Sequence, residues 1–320
     1  MRAGTEADTE EFRTAAEELI RLEREKRHHL LANDLERILY GERGSAAKPL
    51  REIQDLPKDR ERGLALVEVR EPVRDLNEIV LSDENRSVLQ EILLEQSRVE
   101  LLGSYGLRPI SRLLFCGPPG CGKTLAAEVL STELGLHLAT VRFDAVVSSF
   151  LGETAANLRK VFDFLATHRV VALFDEFDAI GKEREDAAEH GELKRVVNSF
   201  LQMVDAYRSQ SLLVAATNHE RLLDRALWRR FDEVLFFDKP NLEQVRQLLS
   251  VKLRGVRHDL PVSDPGFLNQ FTGFTHSAVE RVLIRAIKAM ALKGRLSLTM
   301  DLVADARDRE ERRDALLAKL

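Results

Sequence analysis

Between residues 9 and 40 apolar side chains recur at helical spacing, at Phe12, Ala15, Ala16, Leu19 and Ile20 and again at Leu31, Leu35, Ile38 and Leu39. No Gly or Pro interrupts the stretch, and the charged run 23–29 leaves two short helices or one frayed helix equally open. Residues 41–63 then bring Gly41, Gly44, Ser45, Pro49, Pro57 and Gly63, which read as a linker. A short strand is expected over 64–69, followed by a helix over 83–102 capped by Ser82. From 111 to 238 the period changes. Short apolar runs at 112–116, 136–141, 170–174, 212–216 and 234–237 alternate with helical stretches. That rhythm predicts a parallel sheet with crossover helices on both faces. Beyond Lys239-Pro240 the strand signals stop and helical ones continue to residue 320. The expected organisation is a helical N-terminal region (1–40), a linker (41–63), a large α/β subdomain (64–239) and a small all-α subdomain (240–320).

Composition narrows this picture only modestly. The chain has 320 residues, 44% of them hydrophobic and 32% charged, enough for about two domains. The net charge of −5 gives no reason to expect a nucleic-acid partner, and residues 1–63 balance 13 Lys/Arg against 15 Asp/Glu. No apolar run reaches the roughly 20 residues a membrane-spanning helix needs, and the acidic N-terminus does not read as a signal peptide. The two cysteines, Cys116 and Cys121, flank a glycine-rich loop that a disulfide would distort, so both read as free thiols of a cytoplasmic protein.

The chemistry is concentrated in that loop. Residues 117–124 read GPPGCGKT, a full match to G-x-x-x-x-G-K-[ST], set between an expected strand and a good helix. Gly117, Gly120 and Gly122 let backbone N–H groups curl around phosphate oxygens, and the following helix points its positive end at the same anion. Lys123 is positioned to reach the β- and γ-phosphates and Thr124 to place its hydroxyl on Mg²⁺. The candidate nucleotide-binding set is therefore Gly117, Pro118, Pro119, Gly120, Cys121, Gly122, Lys123, Thr124 and Leu125, with ATP and Mg²⁺ as the implied ligands. Some fifty residues on, the apolar run 170–174 ends in Asp175-Glu176. Asp175 is the candidate metal carboxylate and Glu176 the candidate base that polarises an attacking water. A solvated turn after a core strand is the bland alternative, weakened by the loop upstream.

At these residues the chain resembles the AAA ATPases, and within them the branch containing katanin, spastin and the proteasomal ATPases. The resemblance runs from about residue 72 to 320. SSFLGETAANLRKVFDFL is similar to the family's first pore loop and its helix, and LLVAATNHERLLDRALWRRFDEVLFF to its second region of homology. By this resemblance Asn218 is the sensor 1 residue that helps position the water. Arg229 and Arg230 are the arginine fingers that serve a neighbouring subunit's ATP, which implies a ring, usually a hexamer. Many members read RRGRFD where this chain reads RRFD, so which arginine does more stays open. The residues themselves point the same way, because two adjacent guanidiniums beside Phe231 cannot both be buried without anionic partners. A surface pair bridged to Asp232 or Glu233 is the alternative.

Phe150-Leu151-Gly152 matches the aromatic–hydrophobic–glycine tripeptide with which such proteins grip a polypeptide. A rigid aromatic packs on any extended chain, and glycine lets the loop move. Residues 182–192 read either as a second pore loop or as an ordinary solvated loop. GFTHSAVERVLIRA resembles the start of the family's lid, with His276 and Ala278 in place of a glycine and an aspartate. His276, Ser277 and, in LNEIVL upstream, Ile79 are the candidate adenine contacts. The expected fold is a P-loop NTPase sheet sandwiched by helices, a small helical lid and a helical N-terminal extension. The expected function is an ATP-hydrolysing motor that threads a polypeptide substrate through a homo-oligomeric ring. A nucleic-acid loader and a nucleotide-gated scaffold are the alternatives. No HExxH or Ser/His/Asp set appears, so proteolysis would need a separate peptidase, and an adaptor is the other expected partner.

Overall fold

The computed structural model describes residues 18, 53, 55–60, 62–147, 151–176, 199–219 and 228–317. The chain divides into two units, Met1–Pro49 and Leu50–Leu320, and every described residue except Glu18 belongs to the second. Glu18 aside, the helical reading of 9–40 lies outside the described residues, as do Phe150 and the loop 182–192.

Six strands form one sheet: β1 (Val67–Arg70), β2 (Arg112–Cys116), β3 (His137–Val141), β4 (Val170–Phe174), β5 (Leu212–Thr217) and β6 (Glu233–Phe236). Their order across the sheet is β1-β3-β4-β5-β2-β6. The five strands from β2 to β6 are mutually parallel, as the alternating pattern predicts, and four of them are almost wholly apolar and buried, as strands covered on both faces must be. β1 departs from the expectation of a parallel sheet. It pairs antiparallel with β3, Val67 opposite Val141, and closes that edge of the sheet.

Helices α1 (Asp83–Ser97) and α3 (Lys123–Glu133) cover one face. Their Leu89, Ile92, Ala126, Val129 and Leu130 meet Phe115, Leu173 and Val214. Ser82 caps α1 as expected, its Oγ accepting from the Asn85 N–H at 3.2 Å. The single helix expected over 83–102 breaks at Arg98, and a short α2 (Val99–Ser104) follows. The other face carries α4 (Phe143–Val146), α5 (Leu151–Thr167) and the helical stretch 199–206. There Phe162, Phe174, Phe200 and Tyr207 pack at ring separations of 5.3–5.9 Å. Each fully buried ring removes enough apolar area to contribute about 2–3 kcal/mol.

Part of the stretch expected to be linker lies against this second face. Ile53 and Leu56 pack on its core, and the Leu66 N–H donates to Pro57 O. After the sheet, α6 (Leu242–Lys252), α7 (Pro265–Leu268), α8 (His276–Leu292) and α9 (Met300–Leu317) form a helical group. Its separate core contains Leu249, Phe267, Phe271, Val282, Leu283 and Leu302. Pro240 precedes a full capping box at Asn241 and Gln244, which fixes where α6 starts. Among the described residues no helix is long and apolar enough to cross a membrane.

Candidate functional site

Three neighbouring strands deliver the predicted residues to one edge of the sheet. β2 ends at Cys116 and runs into the 117–124 loop, β5 ends beside it at Thr217 and Asn218, and β4 ends one strand further at Asp175-Glu176. Strands about 4.8 Å apart set the ends of β2 and β4 roughly 10 Å from each other, with the end of β5 between, a gap that side chains reach across. All these strands point their C-terminal ends the same way, the edge where open α/β sheets hold ligands.

The loop has the backbone its glycines predict. Gly117, Gly120 and Gly122 have φ of 134°, 76° and 100°, and Gly122 caps α3 in the left-handed conformation. Two of the three also lack room for a side chain. A Cβ on Gly117 would sit 2.2 Å from Phe237 O, and one on Gly120 would sit 2.2 Å from Ser277 Oγ. Lys123 is 6% exposed, and its Nζ donates to Gly117 O at 2.6 Å and Pro118 O at 2.9 Å. The ammonium is thus held at the mouth of the loop by the backbone a phosphate would lie against. Cys121 is buried, and that burial pushes its thiol up from the ordinary value despite the nearby charge of Lys123. It is a protonated, packing thiol rather than a reactive one.

Thr124 Oγ1 donates to Asp175 Oδ2 at 2.7 Å, and Asp175 Oδ1 accepts the Glu176 N–H at 2.9 Å. A hydroxyl from β2's loop and a carboxylate from β4 therefore converge on one point. This oxygen-only donor pair fits a hard divalent cation such as Mg²⁺. Glu176 has φ of 52°, uncommon for a residue with a side chain, and turns away from the strand line that Asp175 continues. Glu176 is exposed at this end of the sheet, next in the chain to Asp175.

Arg229 and Arg230 are at the opposite edge. They precede β6, which runs parallel to β2 with Leu113 opposite Glu233. The length of a five-residue strand, about 16 Å, separates them from the loop. Neither guanidinium can span that distance to its own loop. Arg230 Nε donates to Asp205 Oδ2 at 2.7 Å, whereas Arg229 is exposed and makes no ion pair with a described residue. The alternative partner Asp232 is taken by Arg112, which reaches it at 2.5 Å, while the Ser111 and Arg112 N–H groups donate to it at 3.0 Å.

The helical group closes the loop from the far side. The Ser277 N–H, at the start of α8, donates to Gly120 O at 3.0 Å. His276 lines a cavity of about 300 Å³ with Val80, Asn85, Cys121, Asn241 and Gln244. Burial pushes its imidazole below the usual value, and neither ring nitrogen has a hydrogen-bond partner. Ile79 is 3% exposed inside the sheet core, and the cavity-facing neighbour is Val80, which also packs on the helical group. Of the tripeptide 150–152, residues 151 and 152 open α5 and Phe150 lies outside the described residues. Sequence reasoning did not single out Ser82 and Asn85 as flanking this cavity or Asp205 as the partner of Arg230. Their neighbours in space are 25–151 residues away in the chain, and no local pattern announces them.

Residues 113–239 match the model of the ATPase family associated with various cellular activities (AAA). Over 291 residues the chain is 43% identical to an AAA family ATPase of Sinorhizobium fredii, covering 89% of this chain and 86% of that protein. Similarity extends to the human ATPase family gene 2 protein homolog A, 36% identical over 186 residues, 56% of this chain and 21% of the relative. The ATP-dependent zinc metalloprotease FtsH of Aquifex aeolicus is 32% identical over 228 residues, 68% of this chain and 35% of the relative. The chain thus spans about a fifth and about a third of these two longer proteins.

Proposed function

Because the chain belongs to the AAA family of ATPases, we propose that it works as a ring in which each ATP is completed by a neighbouring subunit, and that the ring pulls on a polypeptide. The observation that carries the ring is the polarity of the sheet. The phosphate loop and Arg229 sit at opposite edges of parallel strands β2 and β6, so the Arg229 guanidinium can meet ATP only across a subunit boundary. Six copies is the stoichiometry we propose.

ATP is the substrate whose γ-phosphate leaves. The loop N–H groups and Lys123 hold the phosphates, and Thr124 and Asp175 would hold Mg²⁺. When bound, the cation would supply neutralisation of the charge on the phosphates. Glu176 accepts a proton from the attacking water, Asn218 orients that water, and the neighbour's Arg229 stabilises charge gathering on the transferred group. His276 and Val80 face the cavity suited to the base, while Ser277 ties the helical lid to the loop. Cys116 and Cys121 are buried and not joined in a disulfide, which fits a reducing compartment such as the cytoplasm. Pulling on protein rests on Phe150, Leu151 and Gly152 ahead of α5. An adaptor or a separate peptidase is the partner class this reading implies.

Two measurements test it. Glu176→Gln held with ATP should form rings visible by electron microscopy, and a monomer under those conditions overturns the shared site. Phe150→Ala should keep basal ATP hydrolysis within about twofold of wild type yet lose processing of a protein substrate. Retained processing overturns threading.

A further inference from the structure

At the end of the sheet away from the phosphate loop, the starts of neighbouring strands open onto a cavity of about 1330 Å³. Its lining includes Arg112 at the start of β2, Gln210 just ahead of β5, and Arg169 and Asp232, which immediately precede β4 and β6. In the order β4-β5-β2-β6 these starts extend over about 14 Å, at about 4.8 Å per strand. The junction of α1 with α2 and the segment leading into β2 add Arg98, Leu101 and Arg108, and the residues ahead of β5 add Arg208.

The lining is one-sided in charge. Arg98, Arg108, Arg169 and Arg208 are all exposed, and none makes an ion pair with a described residue. Arg208 Nη1 donates to the carbonyls of Asp205 at 2.9 Å and Tyr207 at 2.7 Å, which leaves its charge without an acid. Arg112 is neutralised by Asp232. Among the described lining residues Glu100 alone then opposes four arginines. Elsewhere on the surface Arg74, Arg142, Arg246 and Arg295 each hold a nearby carboxylate. Guanidiniums gathered on one concave surface without acids create a positive potential, and their planar fork matches a carboxylate.

The same surface is apolar between the charges. Leu101 in the lining is 49% exposed, and Leu94, Tyr105 and Leu107 of the same segment are exposed as well. Large apolar side chains gathered at a surface mark a place where another molecule docks. The cavity exceeds the roughly 300–1,000 Å³ of small-molecule sites, so a longer occupant fits it better. A single-stranded nucleic acid stacks its bases on several aromatic faces. Tyr207 is buried with its hydroxyl donating to Ser211 O, so Tyr105 is the one ring that the described residues of this surface offer. Arginine and leucine in one lining match instead a peptide that carries both carboxylates and aliphatic side chains.

We propose that this groove docks an acidic, leucine-bearing segment of a partner protein, with its carboxylates on Arg98, Arg108, Arg169 and Arg208 and its aliphatic side chains on Leu101. About four or five extended residues cross the strand starts from β4 to β6.

The probe is a fluorescein-labelled peptide of alternating glutamate and leucine, about ten residues long, titrated with the whole chain by fluorescence anisotropy. Wild type should bind it at least about tenfold tighter than the same peptide with glutamine in place of glutamate. Arg108→Glu combined with Arg169→Glu should weaken binding by about tenfold or more, and Leu101→Ser by about threefold. Arg142→Glu, outside the groove, should leave it unchanged. ADP affinity, read on the same samples, should be kept in every variant, so loss of the groove is told apart from loss of the nucleotide site. Equal binding of the glutamine peptide, unchanged affinity in the double variant, or an equal loss in Arg142→Glu overturns the site. Single-stranded DNA that binds as tightly through the same arginines overturns the peptide class. No peptide binding by wild type, with self-association lost in the double variant by sedimentation, would make the face a contact between copies and overturn the proposal too. If the double variant fails to fold, Arg108→Gln and Arg169→Gln singly, each expected to weaken binding about threefold, decide it.

Discussion

Arg230 Nε lies 2.7 Å from Asp205 Oδ2, so one of two adjacent guanidiniums is committed inside its own chain while Arg229 projects exposed beside it. The pair therefore divides into an anchor and an arm. Arg229→Ala should lower assembled ATP turnover by at least about a hundredfold, since arginines that stabilise phosphoryl transfer contribute on the order of 10³–10⁵. Arg230→Ala should also slow turnover, and Asp205→Ala should reproduce that effect, because both release the segment ahead of β6. Mixing Arg229→Ala with Glu176→Gln subunits provides the decisive reading. Each is inactive alone, yet mixed rings contain intact boundaries and should recover measurable turnover. No recovery on mixing would exclude an arginine acting between subunits.

The two crowded glycines of the phosphate loop should respond differently to the same added methyl. At Gly117 the obstacle is backbone, Phe237 O at 2.2 Å, with φ of 134°. At Gly120 it is a side chain, Ser277 Oγ, with φ of 76°. Both substitutions carry backbone strain of about 1–3 kcal/mol. Only the second clash can be removed by another mutation. Gly120→Ala combined with Ser277→Gly should recover part of the nucleotide affinity lost in Gly120→Ala, while no side-chain change rescues Gly117→Ala. Equilibrium binding of ADP measures both.

Asp232 ties the start of β2 to the start of β6 and gives the fold a defined acid sensitivity. Burial pushes its carboxyl up, but the Arg112 guanidinium and the Ser111 and Arg112 N–H groups outweigh that and hold it below the usual carboxylate range. With a lowered folded-state value, its stabilisation is complete above the ordinary carboxylate range, near pH 4, and is lost as pH falls through the lowered value. Asp232→Asn should cost about 1–2 kcal/mol in denaturant melts at pH 7. The gap from wild type should shrink below about pH 4. A gap that stays constant with pH would mean the carboxylate's charge is not what matters.

Much of this was legible because it is local. Gly117, Gly120, Gly122, Lys123 and Thr124 stand within eight residues, and the strand they follow is a continuous apolar run, so one motif gave loop, strand and helix together. Asp175 was legible for the same reason, as the end of such a run. Pairing direction is not local. The stretch expected as a strand over 64–69 gave no sign that β1 would pair antiparallel with β3, because that is decided by an edge formed more than sixty residues later. The break at Arg98 escapes a local reading since Arg is a good helix former and no Gly or Pro marks the spot. That Val80 and not Ile79 lines the cavity beside His276 escapes the sequence, because apolar neighbours look alike until the faces they meet are known. The buried Glu310 of α9 was invisible for a different reason: Arg281 and Arg285, four apart on α8, ordinarily read as a solvated face, and only the packing of α9 on α8 makes them a buried carboxylate's partners.

The segment ahead of β1 supports the helix that follows the proposed pore loop, and this contact too can be measured. Asp59 is 8% exposed and accepts from Asn157 Nδ2 of α5 at 3.0 Å and from the Arg62 N–H at 2.9 Å. Asn157 is 2% exposed, so its amide has no water to turn to if the carboxylate is removed. One turn on, Lys160 Nζ donates to Lys58 O at 2.9 Å from an exposed position. The two contacts join the same segments but differ in burial, and burial decides their worth. Asp59→Ala should cost about 1–3 kcal/mol, the penalty for a buried donor losing its acceptor, while Lys160→Met should cost less than about 1 kcal/mol because water replaces the lost partner. Nucleotide affinity should be unchanged in both, since neither residue touches the loop 117–124. Denaturant unfolding with ADP titration separates these outcomes, and equal costs for the two variants would mean that the buried Asp59–Asn157 contact does not brace α5.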